Sequence, residues 1–205
     1  MERVDFALVW EEEQEILYNL AASVPDNGII VEIGTALGGT GTIFHQASHL
    51  KNVKIYTLDT IPFSKAAHHL NGLDIVIINK PSTEYAHRWT QAVNKPIDLL
   101  FIDGDHSFKG CLLYTSDAAD EDHSFKGVFE DYNSWISHMR PGGTVVFHDY
   151  DPITRAGLVH LGVRVCLDTI IEHQLLDDMK HDYKLLHGKA NLEHSFPLNI
   201  GDCFQ

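Results

Sequence analysis

Mostly apolar runs recur along the chain at Ile29–Ile33, Val53–Leu58, Ile75–Ile78, Pro96–Ile102 and Thr144–Phe147. Each is short, rich in β-branched or aromatic residues and bounded by Gly, Pro, Asn or Asp, the composition of strands buried on both faces. Between them lie stretches with helical spacing. Trp10–Ser23 sets Ile16, Leu17, Leu20 and Ala21 behind an acidic first turn of Glu11, Glu12 and Glu13, which suits a helix N-terminus. Further helices are expected from about Gly39 to Leu50, over Pro62–Leu70, from Glu84, and around Val163–Glu172. Phe125, Val128, Phe129, Tyr132, Trp135, Ile136 and Met139 form one apolar stripe, a face for core packing with Trp135 as a sheet-facing anchor. Strands alternating with helices predict an α/β fold. It is an open, doubly wound, mostly parallel sheet with helices on both faces and a ligand crevice at the carboxyl ends of the strands. Tyr183–Leu186 and Phe196–Ile200 are two weaker strand candidates.

The first strand runs directly into Gly34-Thr35-Ala36-Leu37-Gly38-Gly39, so strand, glycine turn and helix form a nucleotide-binding corner. Gly34 and Gly38 are four apart, unlike the G-x-G-x-x-G of dinucleotide enzymes, and no P-loop lysine follows. A tight glycine turn in any α/β domain stays open as an alternative. The second strand ends on Asp59, where one carboxylate can accept hydrogen bonds from both hydroxyls of a ribose; a helix cap or turn residue is the competing reading. The fourth and fifth strands deliver Asp103-Gly104-Asp105-His106 and His148-Asp149-Tyr150 to the same rim.

The 205 residues and 44% hydrophobic content suit a single domain. Against 29 Asp+Glu stand 15 Lys+Arg, a formal charge of −14, which argues against sequence-independent binding to nucleic acid or an anionic membrane. A small neutral or cationic substrate fits better. Cys111, Cys166 and Cys203 are odd in number with no C-x-x-C, and no run is apolar enough to span a bilayer, so a soluble, cytoplasmic protein is expected. The oligomeric state is left open.

One stretch is foreign to this pattern. Asp105-His106-Ser107-Phe108-Lys109-Gly110 recurs letter for letter as residues 122–127, 17 positions later. Two copies make no stacked structural repeat. The peptide between them reads like a translated transposase sequencing adapter, so residues 111–127 are expected to be a non-native insertion, with a genuine lid loop as the alternative.

Glu32-x-Gly34-x-x-x-Gly38, the run Asp-Gly-Asp-His-Ser-Phe-Lys-Gly, Arg140-Pro141-Gly142-Gly143 and Phe147-His148-Asp149-Tyr150 together resemble the small class I S-adenosylmethionine-dependent methyltransferases grouped as the methyltransferase type 24 domain family. The resemblance covers nearly the whole chain. It implies a Rossmann-like sheet closed by an antiparallel edge strand, S-adenosylmethionine as donor, and methyl transfer mostly to hydroxyl oxygens of sugars or secondary metabolites. In that frame Gly34 and Gly38 admit the methionyl part, Glu32 orients it, Asp59 holds the ribose, and Ser82 and Thr83 face the adenine beside Asp103. Transfer to a hydroxyl needs a proton acceptor, and His106 and His148 are the candidates because imidazole titrates near neutrality. By resemblance to catechol-type O-methyltransferases, Asp103 and Asp149 are candidate ligands of Mg²⁺, with Tyr150 where that family has a third, asparagine ligand. A nicotinamide-dependent dehydrogenase and a non-catalytic nucleotide-binding module of the same fold are the alternatives.

Overall fold

The computed structural model describes residues 1–61, 64–104, 122–150 and 161–192. Strands β1 (Ile29–Ile33), β2 (Lys54–Asp59), β3 (Ile75–Asn79), β4 (Ile97–Ile102), β5 (Met139–Phe147), β6 (Leu176–Asp182) and β7 (Leu185–Ala190) form one sheet in the order β3-β2-β1-β4-β5-β7-β6. The first five are parallel; β7 runs antiparallel to both β5 and β6. The expected doubly wound sheet with its antiparallel edge is therefore present. The strand order turns back at β1 and β4, so β1 leads toward β2 and β4 toward β5, which opens a crevice at their carboxyl ends.

β1 and β4 are buried at every position because helices cover both faces. Ile29, Val31 and Ile33 point to one core with Leu100, Trp89, Trp135 and Leu167, while Ile30 points to the other with Leu17, Phe44, Leu99 and Phe101. Helices α1 (Glu11–Ala22) and α2 (Gly39–Ser48) pack together on the second face. α3 (Ser64–His69) follows β2; α4 (Ser82–Ala86) and α5 (Trp89–Ala92) follow β3. α6 (Asp122–Ile136) and α7 (Leu161–Glu172) pack against each other over the first face.

The stripe read from sequence is the buried face of α6 at Val128, Phe129, Tyr132, Trp135 and Ile136, and Trp135 meets Trp89 edge-to-face at 5.4 Å. Met139 is buried too, but it opens β5 rather than ending the helix. β5 starts earlier than the expected Thr144 because Met139 already pairs with Ile97, and a register shift with Gly142 at φ 69° takes up the Arg-Pro-Gly-Gly segment within the strand. The expected strand Tyr183–Leu186 is also displaced. Tyr183 and Lys184 are the turn of a hairpin, Tyr183 at φ 56°, and the missed strand β6 precedes it. Its sequence Leu-Asp-Asp-Met-Lys-His-Asp is nearly all polar because it is the sheet edge. Phe196–Ile200, His106 and residues 111–121 lie outside the described residues, and α6 starts at Asp122, in the second copy of the repeated hexapeptide.

Candidate functional site

A cleft of about 1030 Å³ opens over the carboxyl ends of β1, β2, β4 and β5. That is at the upper end of the roughly 300–1,000 Å³ of small-molecule sites, enough for a cofactor with a second molecule beside it. Of the residues singled out from sequence, Gly34, Asp59, Ser82, Thr83, Asp103, His148 and Asp149 line it, whereas Glu32 and Gly38 do not.

The glycines of the corner are required by the protein's own packing. Gly34 sits at φ 103°, and a Cβ there would lie 2.0 Å from the carbonyl oxygen of Asp103, where β4 leaves the sheet. Gly38, at φ 83°, would place a Cβ 2.9 Å from Leu70 Cγ. Gly38 is the N-cap of α2 and offers no side chain, so the first turn of the helix keeps free N–H groups beside the cleft, which Gly39 and Thr40 line. Asp59 closes the corner: Oδ2 accepts from Ala36 N at 3.1 Å and Oδ1 from Ile61 N at 3.0 Å. A carboxylate has about four lone-pair sites, so each oxygen keeps acceptor capacity for a ligand in the cleft.

Glu32 lies on the α2 side of β1, fully buried, with Oε2 3.2 Å from where a Gly41 Cβ would stand. Neither oxygen has a well-formed hydrogen bond; burial pushes its pKa to about 8, and the nearby Thr57 hydroxyl and Gly41 N–H compensate only weakly. Glu32 lies beneath the glycine turn and is not among the residues that line the cleft.

Ser82 and Thr83 are the first two residues of α4, with Pro81 at the N-cap, so they open the short helix expected to follow them. The Ser82 hydroxyl donates to Asp131 on α6. Burial raises the Asp131 carboxyl to about 7, partly offset by that bond. Asp131 lines the cleft and gave no signal in the sequence beyond one acid on a helix.

The most charged part of the cleft surrounds His148. Its Nδ1 is 3.2 Å from Asp103 Oδ1 and 3.3 Å from Asp149 Oδ1, and its Nε2 is 3.3 Å from Glu13 Oε2. Glu13 is wholly buried and accepts from Trp10 N at 2.8 Å and Lys184 N at 3.0 Å, so this one carboxylate ties α1 to the β6–β7 turn and to the end of β5. Burial works to raise Glu13, but His148 and the two N–H groups hold it below the usual range. Burial works to lower His148; the carboxylates of Asp103, Asp149 and Glu13 overcome it and hold the ring up at about 12. Asp103 is raised by burial, against the pull of His148. Asp149 sits in the left-handed region at φ 62°, and Lys184 Nζ lies 3.8 Å from its Oδ1. Tyr150 turns away, its hydroxyl donating to Asp168 at 2.8 Å, so it does not supply the third donor that its position suggested. Glu13 was legible only as one of three acids suited to a helix dipole. Its burial depends on β5 and the hairpin crossing the helix start.

Three exposed apolar side chains edge the cleft: Leu8 at 67%, Trp10 at 56% and Ile61 at 51%. Lys184 Nζ lies 5.6 Å from the Trp10 ring centre.

Residues 31–120 match a family described as a methyltransferase domain. An uncharacterized protein of Acanthamoeba polyphaga mimivirus is 28% identical over 144 residues, 66% of this chain and 58% of that protein, so the chain spans little more than half the length of the curated relative it matches. Among solved structures, the O-methyltransferase TomG from Streptomyces achromogenes, involved in tomaymycin synthesis and solved with SAM, aligns with a TM-score of 0.62 at 17% identity, over 91% of this chain and 83% of its own. An O-methyltransferase from Bacillus cereus in complex with SAH aligns at 0.61 and 16% identity, over 92% and 84%. A putative caffeoyl-CoA O-methyltransferase from Staphylococcus aureus aligns at 0.61 and 18%, over 90% and 85%. Part of the chain, residues 31–120, is thus similar to a methyltransferase domain, and its sheet order and glycine corner share the fold of these O-methyltransferase structures.

Proposed function

We propose that the chain transfers the methyl group of S-adenosylmethionine to a hydroxyl oxygen of a small molecule. The observation that carries this is Asp59, a cleft-lining carboxylate with one lone pair per oxygen already engaged, placed beside the uncapped start of α2. The carboxylate suits a ribose diol, and the free N–H groups of α2 suit the carboxylate of a methionyl tail. Ser82 and Thr83 line the same cleft and are the residues we assign to the adenine. Leu8, Trp10 and Ile61 offer the acceptor an apolar edge, and the formal charge of −14 disfavours a nucleic-acid acceptor.

In the reaction an acceptor lone pair forms the new C–O bond as the C–S bond of the sulfonium breaks, the electron pair stays on sulfur as a neutral thioether, and the hydroxyl proton must leave. His148 is enclosed by three carboxylates that keep its proton, so its task is to hold Asp103 and Asp149 together rather than to act as the base; His106 lies outside the described residues. The proton passes to the Asp103/Asp149 pair, of which Asp103 has its pKa raised by burial. Both carboxylates also suit a divalent ion such as Mg²⁺, which when bound would lower the pKa of an acceptor hydroxyl.

Calorimetric titration of the full chain with S-adenosylmethionine, S-adenosylhomocysteine and NAD tests the reading. One-to-one binding of the two sulfur nucleotides and none of NAD is expected. Binding of NAD alone, or of none of the three, overturns it.

A further inference from the structure

The two edges of the sheet are built differently. β6, the edge beyond β7, is nearly all polar, its register with β7 shifts between Asp177 and Lys180, and Asp178 sits at φ 50°. Charges and a bulge are the devices that keep an edge strand from pairing with another chain. β3, the opposite edge, has neither. Its sequence Ile-Val-Ile-Ile-Asn holds no charge, Pro or Gly, and its register with β2 runs unbroken from Ile75 to Asn79. Val76 and Ile77 are exposed, at 42% and 36%. Among the described residues no strand pairs with the outer side of β3, so that side offers unpaired N–H and C=O groups beside exposed apolar side chains.

Charge stands only at the two ends of the strand, and its order selects the partner. Asp74 precedes β3 and is paired with Lys54 at 2.5 Å; Lys80 follows it and is paired with Glu84 at 2.9 Å. All four of these side chains reach solvent, so each pair can take a further opposite charge. An apolar strand with an acid before it and a base after it is complementary to itself when the second copy runs antiparallel. A two-fold axis through Ile77 sets Ile77 against its own copy, Val76 against Ile78, Ile75 against Asn79 and Asp74 against Lys80. Moving the axis to Val76 or Ile78 sets Asp74 against Ile78 or Ser82 instead and loses both ion pairs.

We propose that β3 is a dimerisation edge, at which a second copy of this chain adds its own β3 antiparallel across a two-fold axis through Ile77, with Asp74 of each copy against Lys80 of the other. One sheet then runs through both copies. Lys80 is also on the cleft wall, so the shared edge adjoins the site.

The test measures the mass of the full chain by light scattering and sedimentation velocity over a dilution series. One added strand is a small contact, so a reversible dimer is expected, twice the 23.1 kDa of one chain and dissociating on dilution. Ile77→Lys sets like charges on the axis and should weaken association by about tenfold or more. Asp74→Lys and Lys80→Asp each set like charges at two symmetric places, so each alone should weaken self-association by about tenfold. Mixing those two variants should restore a dimer with one chain of each kind, because every charged pair is then of opposite sign. Ile77→Cys, with Cys111 and Cys203 replaced by serine, should form a disulfide dimer under mild oxidation, since opposite Cα atoms of an antiparallel pair stand about 4.5–5.5 Å apart. Asn79→Cys faces Ile75 and should not. Circular dichroism of each variant separates lost association from lost fold. A wild type that is monomeric at every concentration, an Ile77→Lys variant that associates like the wild type, a mixture no more dimeric than its components, or Asn79→Cys cross-linking as fast as Ile77→Cys overturns the proposal.

Discussion

At Asp59 one carboxylate does two things, and a substitution separates them. It holds the N–H groups of Ala36 and Ile61 and presents its remaining lone pairs to the cleft. Asp59→Ala should weaken S-adenosylmethionine by about 1.5–3 kcal/mol, the range for hydrogen bonds to a charged group, and Asp59→Asn by less because an acceptor remains. Unchanged affinity in the alanine variant would remove the ribose assignment. Glu32 carries the opposite lesson, an acid buried where it cannot ionise cheaply. Its folded pKa of about 8 stands above the 4.5 of an ordinary glutamate. Below the lower value both states are protonated and nothing is lost. As pH rises from there toward 8 the unfolded chain releases its proton while the folded chain keeps it, so stability falls by about 1.4 kcal/mol for each pH unit crossed, several kcal/mol in all. Glu32→Gln should flatten this fall, read from urea midpoints between about pH 5 and 8.5, the window in which the two states differ in bound protons. A pH profile identical to that of the wild type would mean that Glu32 is ionised in the folded state.

Elements explain why the cleft is where it is. The crossovers from β1 and β4 lead to opposite sides, toward β2 and β5, and Gly34 lies against the Asp103 carbonyl where these two paired strands end. α6 spans this junction from the outside. Its buried stripe, centred on Trp135 against Trp89, holds Asp131 over the cleft next to Ser82. Trp135→Ala removes a fully buried ring from that face and should cost about 3–5 kcal/mol in denaturant unfolding. A cost under about 1 kcal/mol would show that α6 contributes little to the core.

Across the whole molecule, residues 111–127 are the stretch whose removal tests most. The helix after β4 starts at Asp122 in the second copy of the hexapeptide, and the first copy carries an identical sequence. Deleting residues 111–127 therefore leaves the same six residues ahead of Val128. Loop-closure cost grows only with the logarithm of length, so the shorter chain should keep or gain stability and bind S-adenosylmethionine at least as well. Melting temperature and calorimetry check this. A deletion variant that unfolds or loses the cofactor would mark the segment as a native element. No helix among the described residues is long and apolar enough to cross a membrane.

The buried runs, the glycine corner and the acids at strand ends are local patterns, and they determined the doubly wound sheet, the position of the cleft and the part of its wall at the strand ends. Burial of a strand on both faces leaves a compositional trace within five or six residues. Other features depend on what crosses a segment from elsewhere. β6 is polar because it is an edge, so its composition hides it. Gly34 and Gly38 were read as openings for a ligand, and their missing side chains also make room for Asp103 and Leu70. Glu13 looked like a helix-dipole residue and became the buried partner of His148. His148 was a candidate proton acceptor, and the fold placed carboxylates at both of its nitrogens. Which side chains a charge meets is a long-range property, and only the tertiary structure decided it, because a field at a site is the sum over elements that sequence distance does not order.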